Sequence, residues 1–322
     1  MFSRQRAAVA ARLVATAVIA IVLARRVHLT EVLPHRDLGN TLLVAGALFF
    51  TLLGIVLSSL RWQRVLGALE VRAKLVTLTR YYFASLFVGN FLPSTVGGDV
   101  LRVTRLGAET GENSRPFASV ILERLSGWIV LPGLTFAGLL INPTLREQGS
   151  ATVFAVAVAL VTLSALGTVL LLAAHPRIGG RVTGTDGWRR FTGAIHLGVD
   201  RFRREPALAL EVILASVIYQ LSVLVAVFLA GKALDINVGF TAVLAFFPAV
   251  AIVQALPVTI GGLGVREGAL VLCLRPLDVS TQQAISLGIL MYFCTLIVSL
   301  VGAPAFAAGG TRKVPRADDR DD

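Results

Sequence analysis

The sequence predicts an all-α integral membrane protein: an inverted-repeat helical bundle with about six spanning helices and two broken, re-entrant helical hairpins. Three observations predict it. The 322 residues are 55% apolar and 15% charged, with a mean hydropathy of +0.77, outside the range of soluble domains. Long apolar runs divide the chain. An eleven-residue phrase occurs twice, as Leu92-Pro-Ser-Thr-Val-Gly-Gly-Asp-Val-Leu-Arg102 and Leu256-Pro-Val-Thr-Ile-Gly-Gly-Leu-Gly-Val-Arg266, with six positions identical. Paired interruptions of apolar segments point to a transporter binding site.

A hydrocarbon core of about 30 Å takes roughly 17 to 25 helical residues to cross. Runs of that kind lie at 7–24, 38–60, 117–141, 151–174, 208–231 and 282–308. Two more, 76–107 and 238–275, are those that the phrase breaks. The first run follows Arg4 and Arg6 and ends at Arg25-Arg26 without a small-residue cleavage site, so it reads as a retained helix with Arg12 snorkelling.

Basic residues set the orientation. Four fall in 61–75 (Arg61, Arg64, Arg72, Lys74), seven in 175–207 and four in the C-terminal tail, against one each in 142–150 and 232–237. With both termini cytoplasmic in a multi-pass inner-membrane protein, the basic-rich loops face inward and the poor ones outward. Loop 25–37, outside with three arginines, is the exception. Segments 38–141 and 208–308 then become inverted repeats of helix, hairpin, helix within a membrane domain 1–308. They are linked by 142–207, in which 187–204 reads as an amphipathic helix. Trp188, Phe191, Ile195, Val199 and Phe202 lie on one side, and Arg189, Arg190, Asp200 and Arg203 largely on the other. It suits the cytoplasmic headgroup layer or packing on the bundle. The tail 309–322 has mixed charge and no apolar period, the pattern of disorder.

Pro93 and Pro257 remove an amide donor, and the pairs Gly97-Gly98 and Gly261-Gly262 allow unusual backbone. Irregular backbone at membrane depth needs protein or a water-filled cavity around it. Past each pair a new helix starts, its N-terminus favouring an anion, with Arg102 or Arg266 in or just beyond the first turn. Thr95 and Thr259 occupy matching places before the glycines. Asp99, Arg102 and Arg105 form a polar stripe in the first copy, and Arg266 and Glu267 are the polar pair of the second. An arginine near the bilayer centre costs about 2.5–3.5 kcal/mol on the insertion scale, so two at matching positions need a reason. Either they hold phosphate, or they stitch the hairpins, Arg102 to Asp99 or Glu123 and Arg266 to Glu267 or a carbonyl. Glu123 and Arg124 are cavity liners or interfacial anchors. Arg80 reads as a mouth or snorkelling residue.

Other chemistry is poorly supported. The net charge of +11 belongs to loops and lipid headgroups rather than to nucleic acid. With three lysines among 30 basic residues, the arginine bias fits a phosphate-binding role or a GC-rich genome. Cys273 and Cys294 lie in or beside apolar runs, and His28, His35, His175 and His196, assigned to loops, have no metal spacing. No metal, cofactor or catalytic residue is expected. Glu31 and Asp37 in the first outer loop would suit a polyprenol glycosyltransferase, with plain loop charge as the alternative.

The two phrases, extended to Gly268, and Ser119-Val-Ile-Leu-Glu-Arg124 resemble the membrane domain of the bacterial lysyl-phosphatidylglycerol synthases, the multiple peptide resistance factors, over about residues 10–308. The resemblance implies a flippase-like bundle handling a lipid, the synthase chemistry residing in a soluble domain that this sequence does not contain. Stand-alone relatives are diverse, and some belong to glycolipid or hopanoid pathways.

The reading is a lipid translocase, not an enzyme. It moves an anionic phospholipid or lipid-linked headgroup through a polar cavity between the hairpins, bound by Arg102, Arg266 and the half-helix N-termini. Its partners are membrane lipids and a separate lipid-modifying enzyme; oligomeric state is left open. A membrane enzyme or an accessory scaffold in glycolipid, polyprenol-linked or hopanoid metabolism is the alternative.

Overall fold

The computed structural model describes residues 37–91, 97–174, 187–256 and 262–307. The first apolar run, the tail and the centre of each repeated phrase lie outside them. The described residues form helices and no strands: α1 (Leu38–Ala68), α2 (Leu75–Phe91), α3 (Gly97–Thr110), α4 (Ser114–Ile141), α5 (Ser150–Ala174), α6 (Gly187–Arg204), α7 (Pro206–Ala233), α8 (Phe240–Gln254), α9 (Val265–Leu274), α10 (Thr281–Leu300) and α11 (Gly302–Ala307). Five of them, α1, α4, α5, α7 and α10, are long and apolar enough to cross a membrane. The hairpin limbs α2, α3, α8 and α9 have 17, 14, 15 and 10 residues. At ~1.5 Å per residue each is shorter than the ~30 Å apolar core.

Two boundaries differ from the sequence reading, and one histidine assigned to a loop is helical. α1 does not end near residue 60; it continues to Ala68, because Trp62, Val65 and Leu66 prolong the apolar face and are fully buried. Arg61 is therefore a helical residue, 5% exposed, and not part of a loop. The last apolar run breaks at Val301, and Gly302 meets the carbonyl of Phe83 so closely that a Cβ there would lie 2.1 Å from it. That contact seats α11 on α2. His196 lies in α6, where its Nδ1 is 2.9 Å from the carbonyl of Ala173.

Small residues set the main packing. α1 lies along α7, with Gly54 against Tyr219, Ser222 and Val223, and Ser222 Oγ donates to the carbonyl of Phe50 at 3.0 Å. Side-chain-poor surfaces let apolar helices approach where lipid gives them no hydrophobic drive. α4 crosses α8 at Gly138, whose Cβ would fall 2.6 Å from the Ala245 amide nitrogen. Each outer helix also contacts the other half: α4 packs on α8, and α10 on α2. α6 lays Ala194, Ile195 and Gly198 against α4 and α5, while Phe191, Val199 and Phe202 are half-buried.

Candidate functional site

In the first hairpin the limbs touch at Gly98, whose Cβ would lie 2.5 Å from the Ser85 carbonyl oxygen. Only glycine lets α3 start that close to α2. Asp99 stands in the first turn of α3, where the helix dipole favours a carboxylate. One turn on, Arg102 Nη2 donates to Asp99 Oδ1 at 2.6 Å.

Arg102 is 3% exposed and reaches a second acid: its Nη1 donates to Glu123 Oε2 of α4 at 2.7 Å. The other oxygen of Glu123 receives Arg61 Nη2 at 2.7 Å, Tyr82 OH at 2.9 Å and Ser58 Oγ at 3.1 Å. A carboxylate 1% exposed is thereby held by donors from α1, α2 and α3. The Arg102 guanidinium stacks 4.3 Å from the Tyr82 centroid and 5.0 Å from that of Trp62, and Arg61 lies 4.7 Å from that of Tyr219. Arg124 pairs with Asp99, closing a chain that runs Arg61, Glu123, Arg102, Asp99, Arg124. Such chains tolerate burial only when every charge is partnered.

The second hairpin repeats the plan with fewer parts. Gly262 and Gly264, at φ +71° and +81°, take left-handed backbone that admits the turn into α9. Glu267 Oε2 accepts the Gly264 amide at 2.5 Å, and its Oε1 accepts Arg266 Nη2 at 2.6 Å and Nε at 3.0 Å. Gly288 of α10 leaves space for that carboxylate, since a Cβ there would lie 2.8 Å from Oε1. In both hairpins an acid meets the new helix N-terminus and holds the arginine of the phrase.

Between the halves lies a cavity of about 350 Å³, with walls from α1, α2, α4, α7, α8, α9 and α10. Arg61, Arg124 and Arg266 line it, together with Gln220 and Gln254. No carboxylate does among the described lining residues; Asp99, Glu123 and Glu267 stand behind the arginines. Gly127 opens the wall for Arg61, its Cβ position being 3.1 Å from Arg61 Nη1.

Of the residues expected at the site, Arg266 and Arg124 face this cavity, whereas Arg102 is closed off from it by its two acids. The paired alternative describes Arg102: it stitches α3 to α4. Asp99, Glu123 and Glu267 are the partners behind the wall, Gly97 and Gly98 open α3, and Gly262 turns the chain into α9. Thr95, Thr259 and Gly261 lie outside the described residues. Arg105 leaves the expected stripe and donates to the Ala305 and Phe306 carbonyls at 3.0 and 2.9 Å, at the end of α11. Arg61, Gln220 and Gln254 were not expected. Ser58, Arg61, Trp62 and Val65 share one helical face that continues past the end of the apolar run, and that periodicity was the available signal.

Residues 9–302 match the family model for the lysylphosphatidylglycerol synthase TM region. The chain belongs to that family. Membership agrees with the five long apolar helices: this lysylphosphatidylglycerol synthase-type region is a multi-pass membrane protein of a lipid-related family. Neither curated proteins nor solved structures give a match.

Proposed function

We propose that the protein is a lipid translocase that passes an anionic phospholipid or lipid-linked headgroup across the inner membrane through the cavity between its hairpins. The carrying observation is the wall itself, three guanidiniums with no lining carboxylate among the described residues. Arginine recognises phosphate oxygens through planar, paired donors, and a low-dielectric cavity strengthens the contact. Arg61, Arg124 and Arg266 hold the headgroup, and Glu123, Asp99 and Glu267 respectively position them. Limbs too short to cross the bilayer singly support re-entrant hairpins. Reciprocal packing of α4 on α8 and α10 on α2 supports inverted repeats, and the basic-residue count is what favours cytoplasmic termini.

The test is reconstitution in vesicles with acyl-labelled lipids and a membrane-impermeant quencher. Protein-dependent access to inner-leaflet phosphatidylglycerol is expected, and its loss in an Arg266→Ala, Glu267→Gln double variant, which removes the guanidinium without stranding a buried carboxylate. No protein-dependent access would end the proposal. A scaffold is the second reading, favoured by the complete pairing of Arg102. For the enzyme reading, Asp37 has a structural role that accounts for it, capping α1 with its Oδ1 accepting the Asn40 amide at 2.6 Å.

A further inference from the structure

Four arginines and three carboxylates form the ion pairs of the two hairpin clusters: Arg61, Arg102, Arg124 and Arg266 against Asp99, Glu123 and Glu267. Arg266 and Glu267 balance each other. In the first cluster three guanidiniums share two carboxylates, which leaves one positive charge. That surplus is turned to the cavity, since Arg61 and Arg124 line it and their acids do not. Arg61 is 5% exposed, and its Nε has no partner among the described residues, so an N–H remains to be satisfied. Arg124, its side chain 46% exposed at the cavity, leaves that charge accessible, and one counter-charge at the wall would balance the cluster.

The remaining lining chemistry disfavours a cation. An ammonium would meet no carboxylate on the described wall, and the Tyr82 and Tyr219 faces are already covered by Arg102 and Arg61. Gln220 and Gln254 each add an amide donor and acceptor, suited to hydroxyl groups. Resting on the translocase reading, we infer that the cavity selects a lipid with one net negative headgroup charge. That headgroup is a phosphodiester bearing a neutral, hydroxylated substituent, and headgroups carrying an ammonium are rejected. This sets the chain apart from the aminoacylated lipid that the resemblance implies.

Two measurements on the full chain test the inference. Vesicle translocation is followed for acyl-labelled phosphatidylglycerol, phosphatidylethanolamine and lysyl-phosphatidylglycerol, and retention of the same lipids on detergent-purified protein is read by native mass spectrometry. Phosphatidylglycerol should be moved and retained at least tenfold over the other two, and Arg124→Gln, which removes the surplus charge, should erase that preference. Equal handling of the lysyl lipid would overturn the inference and leave the translocase standing. If no lipid moves, the translocase reading fails, and retention decides: selective retention of phosphatidylglycerol upholds the headgroup assignment, unselective retention overturns it. Glycerol phosphate at the same concentration should displace no bound lipid; displacement would assign the site to a soluble anion instead.

Discussion

Glu123 and Arg61, 62 positions apart in the chain, meet at 2.7 Å with both side chains shut off from solvent. The carboxylate fixes the guanidinium against the cavity wall, while its other oxygen holds Arg102. One acid on α4 thus ties α1 and α3 together and sets the direction of a cavity arginine.

Loss of that acid should unfold more than it inactivates. Glu123→Ala leaves Arg61 and Arg102 buried without their shared partner, and breaking such a pair costs about 3–5 kcal/mol. The melting temperature in detergent should fall sharply. Adding Arg102→Ala should recover part of the loss, as a double-mutant cycle would measure. Additive losses would refute the coupling.

Arg102 and Arg266 should behave differently despite their equivalent places in the phrase. Arg102→Ala leaves Glu123 paired with Arg61 and Asp99 paired with Arg124, so it should lower stability by less than Glu123→Ala and leave the cavity arginines able to support transport. Arg266→Ala strands the buried Glu267 and should lower both stability and lipid translocation, whereas an Arg266→Ala, Glu267→Gln double variant should regain stability and still fail in translocation. Arg266→Lys should rescue transport in part, because it keeps the charge but not the planar fork. Melting curves and transport rates on the same preparations separate the two residues; identical behaviour would contradict the distinction.

At the hairpin contact, Gly98→Ala should be poorly tolerated. Its Cβ would stand 2.5 Å from a backbone oxygen of α2, which cannot swing aside. Overpacking of this kind costs about 1–3 kcal/mol or more. Gly268→Ala, with nothing within 4 Å of the new Cβ, is the control and should melt within about 0.5 kcal/mol of the parent.

Orientation is open to chemical labelling. In a chain freed of Cys273 and Cys294, single cysteines at exposed Ser150 and Arg203 should react with an impermeant thiol reagent from outside and inside respectively. Labelling of both from one side would remove the inverted-repeat topology.

The sequence by itself determined the membrane class, the positions of the described spanning helices, the two interrupted segments and the acid beside each phrase arginine. These are local properties. Apolar run length says which segments leave water, glycine pairs say where backbone bends, and a spacing of three sets Asp99 under Arg102 on one helix face. Only the tertiary structure decided which arginines face the cavity. Glu123 chooses its partners across α1, α2, α3 and α4, and Arg61 becomes a wall residue because α1 runs past its apolar stretch and packs along α7. Hydropathy encodes that a charge is buried; which opposite charge it meets depends on how helices distant in sequence cross, and no local period records that.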